Sequence, residues 1–250
     1  MDTSLYDDWI RPLGDEYPAA VKLGPARVPL AYETRFKRHY IDHKPDVESH
    51  FDISRFLDGT ASITLPQLQQ EWSTWTNADR ADFCHSIKDL YNAGHPELAD
   101  ILHFLLQHAE VDILGPVVLW LPVMQTFPPD QTLDLLLGVL HRASLGHTAD
   151  VLRALGLTKH PQAEPTLRRH LAAIVADPAA WADAKFHNQM ALDAAYCILS
   201  LVKLGAPPAD FEEIARRLSE HPCERTRHWC RRNFAQHYAW LAESAHESQA

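Results

Sequence analysis

The chain has 250 residues, of which 46% are hydrophobic, with only 9 glycines and a formal net charge of -10. That length supports one elongated domain or two small ones around a substantial core. The composition excludes wholesale disorder and a fold built on many tight β-turns, and the negative charge argues against tight nucleic-acid binding, which needs Lys and Arg to neutralise phosphates.

The acidic start, Met1 to Asp8, lacks the apolar stretch of a signal peptide. The segment 1–62 is punctuated by Pro12, Pro18, Pro25, Pro29 and Pro45 and reads as an irregular arm folded on the body, anchored by Trp9, Tyr17, Phe36, Tyr40, Phe51 and Phe56. One short helix is expected there, because Tyr32, Phe36 and Tyr40 share a face. From residue 63 to 243 the pattern is helix after helix. Thr64-Leu65-Pro66 supplies a cap residue and an early proline for a helix reaching Trp75. Asn77 or Asp79 caps the next, which carries Phe83, Ile87, Leu90 and Tyr91 to a stop at Gly94. His95-Pro96 restarts the chain with Leu98, Ile101, Leu102 and Leu105 as its stripe.

Asp112 opens the most apolar helix, expected to run to Gln125 with a kink at Pro122. Its apolar run, Ile113 to Met124, is shorter than the about 20 residues a membrane span needs, so it is read as buried and no membrane association is expected. Pro128-Pro129-Asp130 leads into Leu133, Leu136, Leu137 and Leu140. Further helices are expected over 148–157, 162–176, 188–204, 208–219 and 223–243, with 244–250 as a flexible tail.

The connections are short. Gly94-His95-Pro96, Gly146-His147-Thr148 and Gly205-Ala206-Pro207 each join a left-handed glycine stop to a helix start. His-Pro recurs at His95-Pro96, His160-Pro161 and His221-Pro222, and the last two lead into Arg168-Arg169 and Arg231-Arg232. Short links force neighbouring helices to pack antiparallel, and stacked hairpins with degenerate self-similarity make a solenoid.

Ala149 to Gly156 is an Ala/Leu-rich helix ending in Leu-Gly, followed by Ala163 to Leu167 and a closing Asp177-Pro178. This segment resembles a bacterial HEAT-like repeat, most clearly over 149–178. The resemblance implies an irregular all-α solenoid of antiparallel helical hairpins and a binding surface rather than a reaction. Small bacterial HEAT-like proteins sometimes serve as immunity or antitoxin-like proteins, so the resemblance also implies occlusion of a basic partner.

Candidate chemistry is sparse. Among 16 histidines, His39 and His43 stand four apart with Asp42, Asp46, Glu48 and His50 nearby. A helix would present both rings to one metal ion, although Pro45 limits that helix and the zinc-protease Glu is missing; a solvated polar patch is the competing reading. His221, Cys223, His228 and Cys230 form a second constellation, but on one helix Cys223 and Cys230 would stand about 10 Å apart. Cys230 also continues into a core stripe with Phe234, His237 and Leu241, and Cys197 sits amid Ala194, Ile198 and Leu201, so both read as core residues. With Cys84, the four cysteines are too scattered for a disulfide framework, and the cytoplasm is the expected compartment.

Six arginines, Arg216, Arg217, Arg225, Arg227, Arg231 and Arg232, fall within residues 216–232 beside Trp229. Arg next to Trp is enriched at protein-binding hot spots and suits anionic ligands. The alternative is a ladder of ion pairs with Glu212, Glu213, Glu220 and Glu224. Up to Gln125 the chain carries 10 basic and 19 acidic residues, and beyond it 13 and 14, so an acidic first half precedes an arginine-rich end. No nucleophile elbow, phosphate loop or dinucleotide fingerprint occurs, and no cofactor is implied. The sequence therefore points to a non-catalytic, protein-binding scaffold for a basic partner. A His-containing enzyme and a HEAT-like nucleic-acid protein remain as alternatives.

Overall fold

The computed structural model describes residues 63–184 and 187–241, and these residues form α-helices and short 3-10 turns without a strand. The helices are α1 (Leu65–Trp72), α2 (Asn77–His85), α3 (Ile87–Asn92), α4 (Leu98–His108), α5 (Gly115–Met124) and α6 (Pro129–Arg142). They continue as α7 (Ala149–Thr158), α8 (Ala163–Ala176), α9 (Gln189–Lys203), α10 (Glu212–Ser219) and α11 (Glu224–Phe234). The expected arm over 1–62, with His39 and His43, and the tail over 244–250 lie outside the described residues.

Local chemistry sets the ends. Thr64 and Thr76 each build a reciprocal capping box, with Gln67 and Asp79 respectively at the third helical position. Thr76 is therefore the cap of α2, rather than Asn77 or Asp79. The single helix expected from there to Gly94 is split at Ser86, whose hydroxyl donates to the Asp82 carbonyl 2.8 Å away and competes with the helical ladder. Asp112 lies in a 3-10 turn over Val111–Ile113, and α5 starts only at Gly115, where Pro116 favours a first turn. The helix expected over 223–243 stops at Phe234, because Ala235 to His237 form a turn.

The links follow the expected chemistry. Gly94, Gly146 and Gly205 have φ of 68°, 89° and 100°. At the first and last, the glycine's own N–H and that of the next residue return to Tyr91 and Leu90, and to Val202 and Leu201, satisfying the last helical carbonyls. The His-Pro repeats share one function. Proline has no N–H, so the first donor after it belongs to the next residue, and in all three cases it meets the histidine ring. Nδ1 of His95, His160 and His221 accepts from the N–H of Glu97, Gln162 and Cys223 at 3.2, 3.2 and 3.1 Å.

Beyond these links, alternate helices pack on one another. α5 meets α7, α7 meets α9, and α9 meets α11, while α4 meets α6. Their starts meet starts and their ends meet ends. Gly115 at the start of α5 lies against Asp150 at the start of α7. Toward the other end of α7, Gly156 lies against Ser200 of α9. The Asn188 N–H before α9 donates to Thr226 of α11. Arg142, closing α6, donates to the carbonyls of Leu106, Gln107 and Ala109 at the end of α4. A continuous core runs between these helices, from Leu68 and Phe83 through Leu121, Leu155 and Ile198 to Phe234.

Candidate functional site

The arginine-rich end is built by α10 and α11. Thr226, Cys230 and Phe234 point inward as the buried stripe of α11. Arg225, His228, Trp229 and Arg232 fall at i, i+3, i+4 and i+7, the opposite stripe. With His187 and Glu224 they line an open groove of about 640 Å³. Arg227 and Arg231 complete its wall. Their guanidinium groups reach back across the turn, Arg227 to the His221 carbonyl at 2.7 Å and Arg231 to the Ser219 carbonyl at 2.7 Å. Ser219 closes α10 and His221 follows its cap, so both guanidinium groups sit at the helix C-terminus, where the dipole favours positive charge.

The expected ladder of arginine–glutamate pairs is mostly absent. Arg216 does pair with Glu212 at 2.7 Å and stacks on Trp240, but Arg217 instead lies over Trp181 with its guanidinium carbon 3.5 Å from the ring centroid. Both sit on α10, away from the groove. Among the described residues, Arg227, Arg231 and Arg232 form no ion pair with a carboxylate, and Glu213, Glu220 and Glu224 engage no arginine. The structure thus separates the sequence-derived cluster into two cation–π stacks on α10 and five groove residues on α11. Trp229 is partly buried, its ring meeting Tyr196 edge-on at 4.8 Å, and Arg153 covers Tyr196. His187, which precedes α9, completes the groove through the fold; no local pattern in the sequence marks it. Burial, followed by the charge of Arg225, holds its ring below the usual histidine pKa.

A second surface has the opposite sign. No lysine or arginine stands between Asp89 and His141, and the side chains of Asp100, Glu110, Asp112, Asp130 and Asp134 are exposed there. Three of these are partnered: Glu110 with Arg80 at 2.7 Å, Asp112 with His147 at 3.5 Å, and Asp130 with His160 at 2.8 Å. Asp100 of α4 and Asp134 of α6 have no partner among the described residues.

The other clusters are structural. His221 is buried, with Nε2–H donating to the Ala180 carbonyl at 2.9 Å and Nδ1 accepting from Cys223, so both ring nitrogens are used. Burial raises the thiol pKa values of Cys84 and Cys197, and pushes Cys230 up to about 12, which removes thiolate chemistry at neutral pH. A hydroxyl, a carboxylate and an imidazole do converge at Thr148, Asp193 and His170. Here, however, the carboxylate holds the hydroxyl instead of the imidazole, and Thr148 is 0% exposed, so no substrate reaches it. Among the described residues no group of three or more His, Cys, Asp or Glu side chains is placed to hold a metal ion, and no helix is long and apolar enough to cross a membrane.

Comparison with models of protein families, with curated proteins and with solved structures gives no match.

Proposed function

We propose that the chain is a non-catalytic, HEAT-like scaffold that binds a basic protein partner, in the manner of an immunity or antitoxin-like protein. The solenoid reading is supported by the alternate packing of helices. Starts meet starts in α5, α7, α9 and α11, and ends meet ends in α4 and α6, as in successive antiparallel hairpins. The observation that carries the function is that the chain from Asp89 to His141 holds no lysine or arginine and exposes Asp100, Glu110, Asp112, Asp130 and Asp134 on its helices and links. Such a surface attracts and orients a cationic partner while repelling polyanions.

The test is affinity capture from the native host with the wild type and with an Asp100→Lys/Asp134→Lys variant. Both side chains are exposed and without a partner among the described residues, so the variant is expected to keep its fold. A protein of basic isoelectric point, held in stoichiometric amount by the wild type and lost by the variant, is the expected result. Recovery of nucleic acid or of small molecules alone, or equal retention by the variant, would overturn the reading.

A further inference from the structure

We propose that the groove along α11 is a second docking site, with the opposite preference, for a short acidic peptide segment of a partner. It is independent of the acidic surface used above. The sign of its lining is decisive: among the described residues, Arg225, Arg227, Arg231 and Arg232 with His187 and His228 face a single carboxylate, Glu224. In a folded protein of net charge -10, it is an exception that Arg227, Arg231 and Arg232 form no ion pair with a carboxylate among the described residues, while Glu213 and Glu220 of the adjoining α10 engage no arginine there.

Arg227 and Arg231 are fixed by their carbonyl acceptors, so their charge is pre-positioned rather than mobile. Arg232 is exposed and without a partner among the described residues, ready to take a carboxylate in two parallel hydrogen bonds. Nucleic acid would meet the same charge but fits less well. Trp229 is committed edge-on to Tyr196, and Arg153 covers Tyr196, so these rings are engaged within the protein rather than set out as a stacking platform for bases. A long polyanion would also be repelled by the α4–α6 surface, which a short peptide avoids.

Fluorescence anisotropy with a dye-labelled octaglutamate peptide tests this in about 50 mM salt, with an eight-nucleotide single strand as the charge-matched competitor. The wild type is expected to bind the peptide more tightly than the oligonucleotide. Arg232→Glu is expected to weaken peptide binding by about tenfold or more, the value of one lost charge-assisted contact. Arg225→Glu provides a second variant, and circular dichroism of both checks the fold. The Asp100→Lys/Asp134→Lys variant is expected to keep full peptide affinity, which separates this site from the basic-partner surface. Absence of peptide binding, tighter binding of the oligonucleotide, or peptide affinity unchanged in both groove variants would overturn the proposal.

Discussion

Removing the Asp193 carboxylate would strand the N–H groups of Gly146 and Thr148 and the Thr148 hydroxyl, all of which donate to its Oδ2. The site is buried, with Asp193 and Thr148 both 0% exposed. Each buried group left unsatisfied costs about 1–3 kcal/mol. Asp193→Ala is therefore expected to lower the unfolding free energy by about 3 kcal/mol or more, measured by urea denaturation; a loss under about 1 kcal/mol would contradict the hub. The same network includes a titratable group, His170. Because the Thr148 hydroxyl donates to Asp193, it must accept from Nε2–H of His170, 3.1 Å away. Burial holds His170 below the usual histidine pKa. A lowered histidine contributes fully above its unfolded value, near 6.5, and loses that contribution as pH falls through the folded value. The stability gap between wild type and His170→Gln is expected to narrow between pH 7.5 and 5.5 in thermal melts. A gap that widens on acidification would reverse the sign of this argument.

At the level of elements, two glycines inside helices have opposite reasons to be there. A Cβ on Gly156 of α7 would stand 2.7 Å from Cβ and 2.9 Å from Cα of Ser200 on α9. Backbone cannot yield as a flexible side chain does, so the two helices would have to separate. Overpacking of that kind costs about 1–3 kcal/mol, against about 1 kcal/mol gained by Ala over Gly in a helix. Gly138 of α6 is exposed and meets nothing within 4 Å. Gly138→Ala is therefore expected to stabilise by about 0.5–1 kcal/mol and Gly156→Ala to destabilise by up to about 2 kcal/mol, both read as shifts in the urea midpoint. Equal shifts would remove the close α7–α9 approach. The helices were legible because Leu stripes, glycine stops and proline starts are local signals. What was not legible arose from competition that local pattern cannot weigh, such as the Ser86 hydroxyl against the ladder of α2. The turn after Phe234 is another case, since the Tyr238 hydroxyl reaches the Pro208 carbonyl 3.0 Å away, and that contact depends on a distant part of the chain.

Across the whole molecule, charge is sorted along the order of the helices, acidic through α4 to α6 and arginine-rich at α10 and α11. Composition showed the asymmetry, and the cluster of six arginines beside Trp229 was visible in the sequence. His187 and the division of the arginines were not visible, because both depend on which carbonyl or ring the fold brings within reach of a side chain. The sorting has a kinetic consequence. Surface charge acts mainly on the rate of encounter, because an exposed carboxylate guides a cation from a distance yet contributes little once solvent screens it in the complex. Asp100 and Asp134 are suited to this role, being exposed and without a partner among the described residues. For a labelled oligolysine peptide, stopped-flow measurements are expected to show association slowing by about tenfold between 50 and 500 mM salt, as the screening length shrinks to a few ångströms. Asp100→Lys/Asp134→Lys is expected to slow association at low salt and to flatten this salt dependence, while dissociation changes by less than about threefold. If the substitutions act on dissociation instead, these carboxylates are direct contacts in the complex, and steering by the acidic surface is disproved.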